Sequence, residues 1–109
     1  MQEYEVKRDG ARDLRFVGEE LAQVQSSPHD CDANFSRSVG RWTELTLYQT
    51  KGGKYVAAER RFTLRTNEVD RFAAAVCDTG DDVVEYLGTG WLAKWLYSEA
   101  GLDTAEEVA

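Results

Sequence analysis

Apolar and polar residues alternate through residues 41–63, and the pattern breaks once, at Thr50-Lys51-Gly52-Gly53. An alternation of period two is the mark of a β-strand with one face turned inward. Two such runs, RWTELTLYQ and KYVAAERRFT, flank a short segment with two glycines, which predicts an antiparallel hairpin. Pairing Gln49 with Lys54 sets Tyr48 opposite Tyr55, Leu47 opposite Val56, Leu45 opposite Ala58 and Trp42 opposite Arg61. That register gathers Leu45, Leu47, Val56, Ala58, Phe62 and Leu64 on a core face. It leaves Trp42, Thr46, Tyr48, Tyr55 and Arg61 on a wetter aromatic face, with Trp42–Arg61 as a cation–π pair. It also opposes Glu44 to Glu59, and like charges directly opposed are mildly unfavourable.

Upstream, YEVK and DLRFV read as strands around an Asp9-Gly10 turn. GEELAQVQSS is either a further short strand or one helical turn, because Glu, Leu, Ala and Gln favour helix. Residues 26–40 form one long loop. Residues 70–77, DRFAAAVC, alternate like a strand, and their three alanines keep a helix open as the alternative. Thr79-Gly80-Asp81-Asp82 has the form of a capping box. It predicts a short helix, DDVVEYL, that stops at Gly88. Thr89 is expected to cap a second helix, GWLAKWLYSEA, that stops at Gly101, with Asp103 and Glu106 as a further capping pair. Trp91, Leu92, Trp95 and Leu96 form one wide stripe on that helix. Trp91, Trp95 and Leu96 are therefore expected to bury against the sheet, which would make Trp95→Ala a cavity-forming substitution.

These elements predict a single α+β domain over residues 1–109: an antiparallel sheet of four to five strands, then two short C-terminal helices packed on one face. Residues 1–67 read as mainly β, and 68–109 as acidic and mainly helical. The chain has 109 residues, 42% of them apolar, enough for one core. No apolar run approaches the ~20 residues of a membrane span. MQEYEVKRDG has no apolar stretch of the kind a secretory signal needs, so the expected location is cytoplasmic. Cys31 and Cys77 do not make a disulfide framework; free thiols are the default, and a single bridge between them stays open.

Charge changes the picture most. Residues 68–109 hold ten acidic residues and two basic ones, Arg71 and Lys94, whereas the whole chain carries −7. A negative half attracts basic surfaces and repels nucleic acid. Its members are Glu68, Asp70, Asp78, Asp81, Asp82, Glu85, Glu99, Asp103, Glu106 and Glu107. Some have a local role: Asp81 and Asp82 complement a helix dipole in a first turn. Local roles do not require the near-absence of Lys and Arg around them. An acidic face that docks on a basic partner accounts for both.

Catalytic signals are sparse. His29-Asp30-Cys31-Asp32 contains metal-ligand types at no recognised zinc spacing. A single His stands two residues from Cys31, a poor separation for a nucleophile and its base. Neither a G-x-S-x-G elbow nor a phosphate-cradling loop is present. No catalytic residue, cofactor or metal is expected, and the chain is not read as an enzyme. Lys51, Lys54, Arg60, Arg61, Arg65 and Arg71 beside Trp42, Tyr48 and Tyr55 could stack bases, but a pI near 4.7 argues against direct nucleic-acid binding. The partner-binding candidates are Asp78, Asp81, Asp82 and Glu85, together with Trp42, Tyr48 and Tyr55.

The stretch WTELTLYQTKGGKYV followed by VVEYLGTGWLAKWLYSEAGL, roughly residues 41–102, resembles small proteins of phages and mobile elements. In size, acidity and lack of catalytic motifs the chain is also similar to anti-CRISPR proteins. That resemblance implies an inhibitor that binds a CRISPR effector complex and blocks its basic nucleic-acid channel, without touching nucleic acid or membrane itself. The alternative expectation is a structural or accessory module: a homodimer joined through its sheet, or the partner of a toxin or transfer protein.

Overall fold

A computed structural model describes residues 1–26, 41–64 and 66–103. The His29–Asp32 stretch, the 27–40 part of the long loop, Arg65, Glu106 and the Cys31 end of any bridge lie outside the described residues. Five strands form one antiparallel meander in sequence order: β1 (Gln2–Val6), β2 (Leu14–Gln25), β3 (Arg41–Thr50), β4 (Tyr55–Thr63) and β5 (Arg71–Cys77). Two helices follow, α1 (Gly80–Leu87) and α2 (Trp91–Ala100). The fold is α+β, as the element order predicts. The RFAAAVC segment is a strand, so residues 68–109 open with the last strand of the sheet before turning helical.

The sheet curls, and that gives it two cores. On its concave face Val6, Tyr48, Val56, Ala58 and Ala74 pack with Tyr4, Leu14 and Phe16. On its convex face Val24, Leu45, Leu47, Ala57 and Cys77 meet Val83, Leu92, Ala93, Leu96 and Tyr97 of the two helices. The curl is held at its open side by the turn after β1. There the Asp9 amide donates to the Phe72 carbonyl (2.8 Å), and the Phe72 amide donates to Asp9 Oδ2 (2.9 Å). Lys7 Nζ lies 4.8 Å from the centre of the Phe72 ring.

One bulge lets β2 serve both cores. The β2–β3 register shifts between Glu20 and Ala22. An extra residue in a strand moves every later side chain to the opposite face. Leu14 and Phe16 therefore pack on the concave side, while Ala22 and Val24 pack under the helices. The GEELAQVQ segment is thus strand, continuous with DLRFV.

The hairpin forms as expected, but its register differs by one residue. Gln49 pairs with Tyr55, Tyr48 with Val56, Leu47 with Ala57, Leu45 with Glu59 and Trp42 with Phe62. The cause is a three-residue connection, Lys51-Gly52-Gly53. It is closed by the Thr50 amide on the Lys54 carbonyl (2.7 Å) and the Gly53 amide on the Thr50 carbonyl (2.9 Å). Gly53 takes φ 90°, a region only glycine enters freely. The shift moves Val56, Ala58 and Phe62 to the concave face, and Tyr55 and Arg61 to the helix side. It sets Glu44 opposite Arg60, with Arg60 Nη1 3.0 Å from Glu44 Oε1, and so removes the Glu44–Glu59 clash. Trp42 stacks on Phe62 (centroids 5.3 Å, planes 26° apart) instead of on Arg61. Thr46 and Tyr48 are 1% and 4% exposed, so the face expected to be wet is core, and Leu64, expected in the core, is exposed.

The Thr79 cap is observed: Thr79 Oγ1 accepts from the Asp82 amide at 3.2 Å. The N-cap of α2 is Gly90, not Thr89, and makes no side-chain hydrogen bond. The face of α2 is also rotated from the expected one. Leu92, Ala93, Leu96 and Tyr97 are buried, whereas Trp91 is 66% and Trp95 44% exposed. Tyr97 can go inside because its hydroxyl donates to the Gly88 carbonyl at 2.6 Å, tying α2 to the end of α1. Burying that tyrosine, one position beyond the expected stripe, turns both tryptophans outward.

Candidate docking surface

Once α1 and α2 have packed their apolar stripes on the sheet, the opposite stripes form the outer surface of the domain. On α1 that stripe is Asp81, Asp82, Glu85 and Tyr86; on α2 it is Trp91, Lys94, Trp95, Ser98 and Glu99, all exposed. The spacing repeats i, i+1, i+4, i+5 on the first helix and i, i+3, i+4, i+7, i+8 on the second, one face each. Asp81, Asp82 and Glu85 form no ion pair with any described residue. Their charge is therefore directed to solvent. Lys94 is the one cation on either stripe.

The two indoles are near-parallel, with planes 19° apart and centroids at 6.5 Å. They sit one helical turn apart, as residues i and i+4 must. Trp95 Nε1 donates to Glu99 Oε1 at 3.2 Å, which fixes the ring against the next turn. Tyr86 is 42% exposed, and its phenol is pushed up, first by partial burial and then by the charge of Glu59. Beneath this surface the Cys77 thiol is pushed up by burial and then by Asp82 and Asp78, which keeps it protonated and unreactive.

The site expected from the sequence divides. Asp81, Asp82 and Glu85 share the exposed surface of α1. Asp78 lies just before it and pairs with Lys54 at 3.4 Å. The aromatic trio does not assemble. Tyr48 is enclosed by Tyr4 and Phe16 on the concave side, with centroids at 4.8 and 5.3 Å, and burial pushes its phenol up. Tyr55 packs against the core under the helices, and Trp42 lies on the concave face with Phe62. Trp91, Trp95 and Tyr86 are the surface residues the sequence reading missed; Glu99 belongs to its acidic set. Lys94 was the available signal: it shares the i, i+3, i+4 stripe with Trp91 and Trp95, and a stripe holding a lysine is seldom the buried one.

A second concavity lies where β3 begins and β4 ends, a groove of about 830 Å³ lined by Arg41, Trp42, Arg61, Phe62, Glu68 and Arg71 among others. Its cations are largely answered from within. Arg41 is gripped by both carboxylate oxygens of Glu68, and Arg61 Nε lies 2.6 Å from Glu59 Oε1. Among the described residues no group of His, Cys, Asp and Glu is placed to hold a metal ion. No helix among them is long and apolar enough to cross a membrane.

Fold and surface together define a small α+β protein whose sheet is a scaffold for an acidic, tryptophan-bearing helix layer. No protein-family model, no curated protein and no solved structure matches the chain.

Proposed function

We propose that this chain is a protein-binding inhibitor of the anti-CRISPR type, which lays its helix layer over a basic nucleic-acid-binding groove of an effector complex and blocks it sterically and electrostatically. The supporting observation is the coincidence, on one outer layer, of unpaired carboxylates at Asp81, Asp82 and Glu85 with two exposed indoles at Trp91 and Trp95. Carboxylates steer the encounter with a basic surface. Tryptophan is enriched at the centres of protein interfaces. Asp81 and Asp82 also lie in the first turn of α1, but Glu85 and the two indoles have no such local role, and both stripes point away from the two cores.

The test is the Asp81→Lys, Asp82→Lys, Glu85→Lys triple variant, measured against a basic partner recovered by affinity capture. Association of the unaltered chain should slow steeply between 0.1 and 1 M salt, as the screening length falls from ~10 to ~3 Å. The variant should associate at least about tenfold more slowly at low salt. It should still fold, losing no more than ~1 kcal/mol from altered charge near the Thr79 cap. An early-melting variant that binds with unaltered affinity would reduce these carboxylates to capping and solubility.

A further inference from the structure

From the geometry of α2 we infer that Trp91, Trp95 and Glu99 form an arginine-binding notch, so that the partner is engaged through a guanidinium. The inference rests on the docking role proposed for the helix layer and names the group that layer would hold. The indole planes are near-parallel with centroids 6.5 Å apart, and Trp91 and Trp95 are 66% and 44% exposed, so ring surface stays open to solvent. A planar cation can lie on such faces, where the ring quadrupole attracts it. Glu99 stands at the edge of the pair. One of its oxygens takes the Trp95 N–H, and the other has no partner among the described residues. A guanidinium has donors enough to reach that oxygen while its plane rests on an indole; an ammonium presents a compact charge with no plane to stack. Asp81, Asp82 and Glu85 on the neighbouring helix supply the negative field that draws a cation toward the layer.

The measurement uses the full chain, ¹⁵N-labelled, and two probes of equal charge, a hexa-arginine and a hexa-lysine peptide. The three indole N–H resonances report separately, with Trp42, on the opposite face of the sheet from α2, as a reference. The expected result is that the arginine peptide shifts Trp91 and Trp95 but not Trp42, at a concentration at least about fivefold below that needed for the lysine peptide. Trp91→Ala and Trp95→Ala should each abolish that preference while moving the melting temperature by no more than about 4 °C. Equal, salt-sensitive binding of both peptides would overturn the notch and leave charge steering standing. No response to either peptide at low salt would overturn the notch and count against the acidic docking surface as well. Shifts confined to Trp42 would place arginine at the Arg41–Arg71 groove and overturn the assignment to α2.

Discussion

Leu96→Ala should destabilise the domain by about 2–5 kcal/mol, while Trp95→Ala, one residue earlier, should change stability by no more than about 0.5 kcal/mol. Leu96 is 0% exposed and sits among Leu47, Ala57, Val83 and Tyr97, where sheet and helices meet. Truncating it removes apolar contacts and opens a cavity that close-packed neighbours refill only in part. Trp95 is the larger side chain, but 44% of it faces solvent and its hydrogen bond is to an exposed Glu99. Paired thermal melts decide the matter. For a domain of this size each kcal/mol moves the midpoint by ~4–8 °C, so the two variants should separate clearly. The reverse order, with Trp95→Ala the damaging change, would mean that α2 packs by its other face.

Gly18→Ala is expected to be nearly as harmful, at about 1–3 kcal/mol of overpacking. Gly18 lies between Gln2 and Thr50 in the sheet. A β-carbon there would stand 2.2 Å from the Gln49 carbonyl oxygen and 2.9 Å from Thr50 Cα. Both obstacles are backbone, so relief requires β2 and β3 to move apart, and those two strands carry residues of both cores. Gly52→Ala is the natural control, because the space around it is open and its φ is not positive. Urea midpoints for the pair should differ by the full effect. Equal midpoints would contradict the β2–β3 register on which the two-core arrangement depends.

Local chemistry was the part of this fold most legible in the chain. The glycines of the hairpin, the Thr79 cap and the glycines that end both helices placed most elements within a residue or two. Alternation in RFAAAVC was enough to favour a strand over the helix its alanines allow. What stayed hidden depended on single-residue offsets. The expected four-residue connection and the observed three-residue one contain the same Gly-Gly pair, yet they put Val56 and Ala58 on opposite faces. The bulge between Glu20 and Ala22 has no composition signal, and it redirects half of β2. On α2, both tryptophans invite burial by hydrophobicity, and the choice falls instead on Tyr97, whose hydroxyl finds the Gly88 carbonyl. The candidate surface inherited these offsets: the acidic half of it, Asp81, Asp82 and Glu85, could be read from charge, while its aromatic half came from the rotation of one helix.

Carboxyl footprinting of the chain bound to its captured partner tests the central claim most directly. Amide-forming labels report each carboxylate separately, and the bound and free states can be compared residue by residue. If the helix layer is the docking surface, labelling of Asp81, Asp82, Glu85 and Glu99 should fall severalfold on binding, while Glu19 on exposed β2 continues to react as in the free chain. Unchanged labelling along α1 and α2, with protection of Glu68 in the Arg41–Arg71 groove, would contradict the account and move the interface off the helix layer.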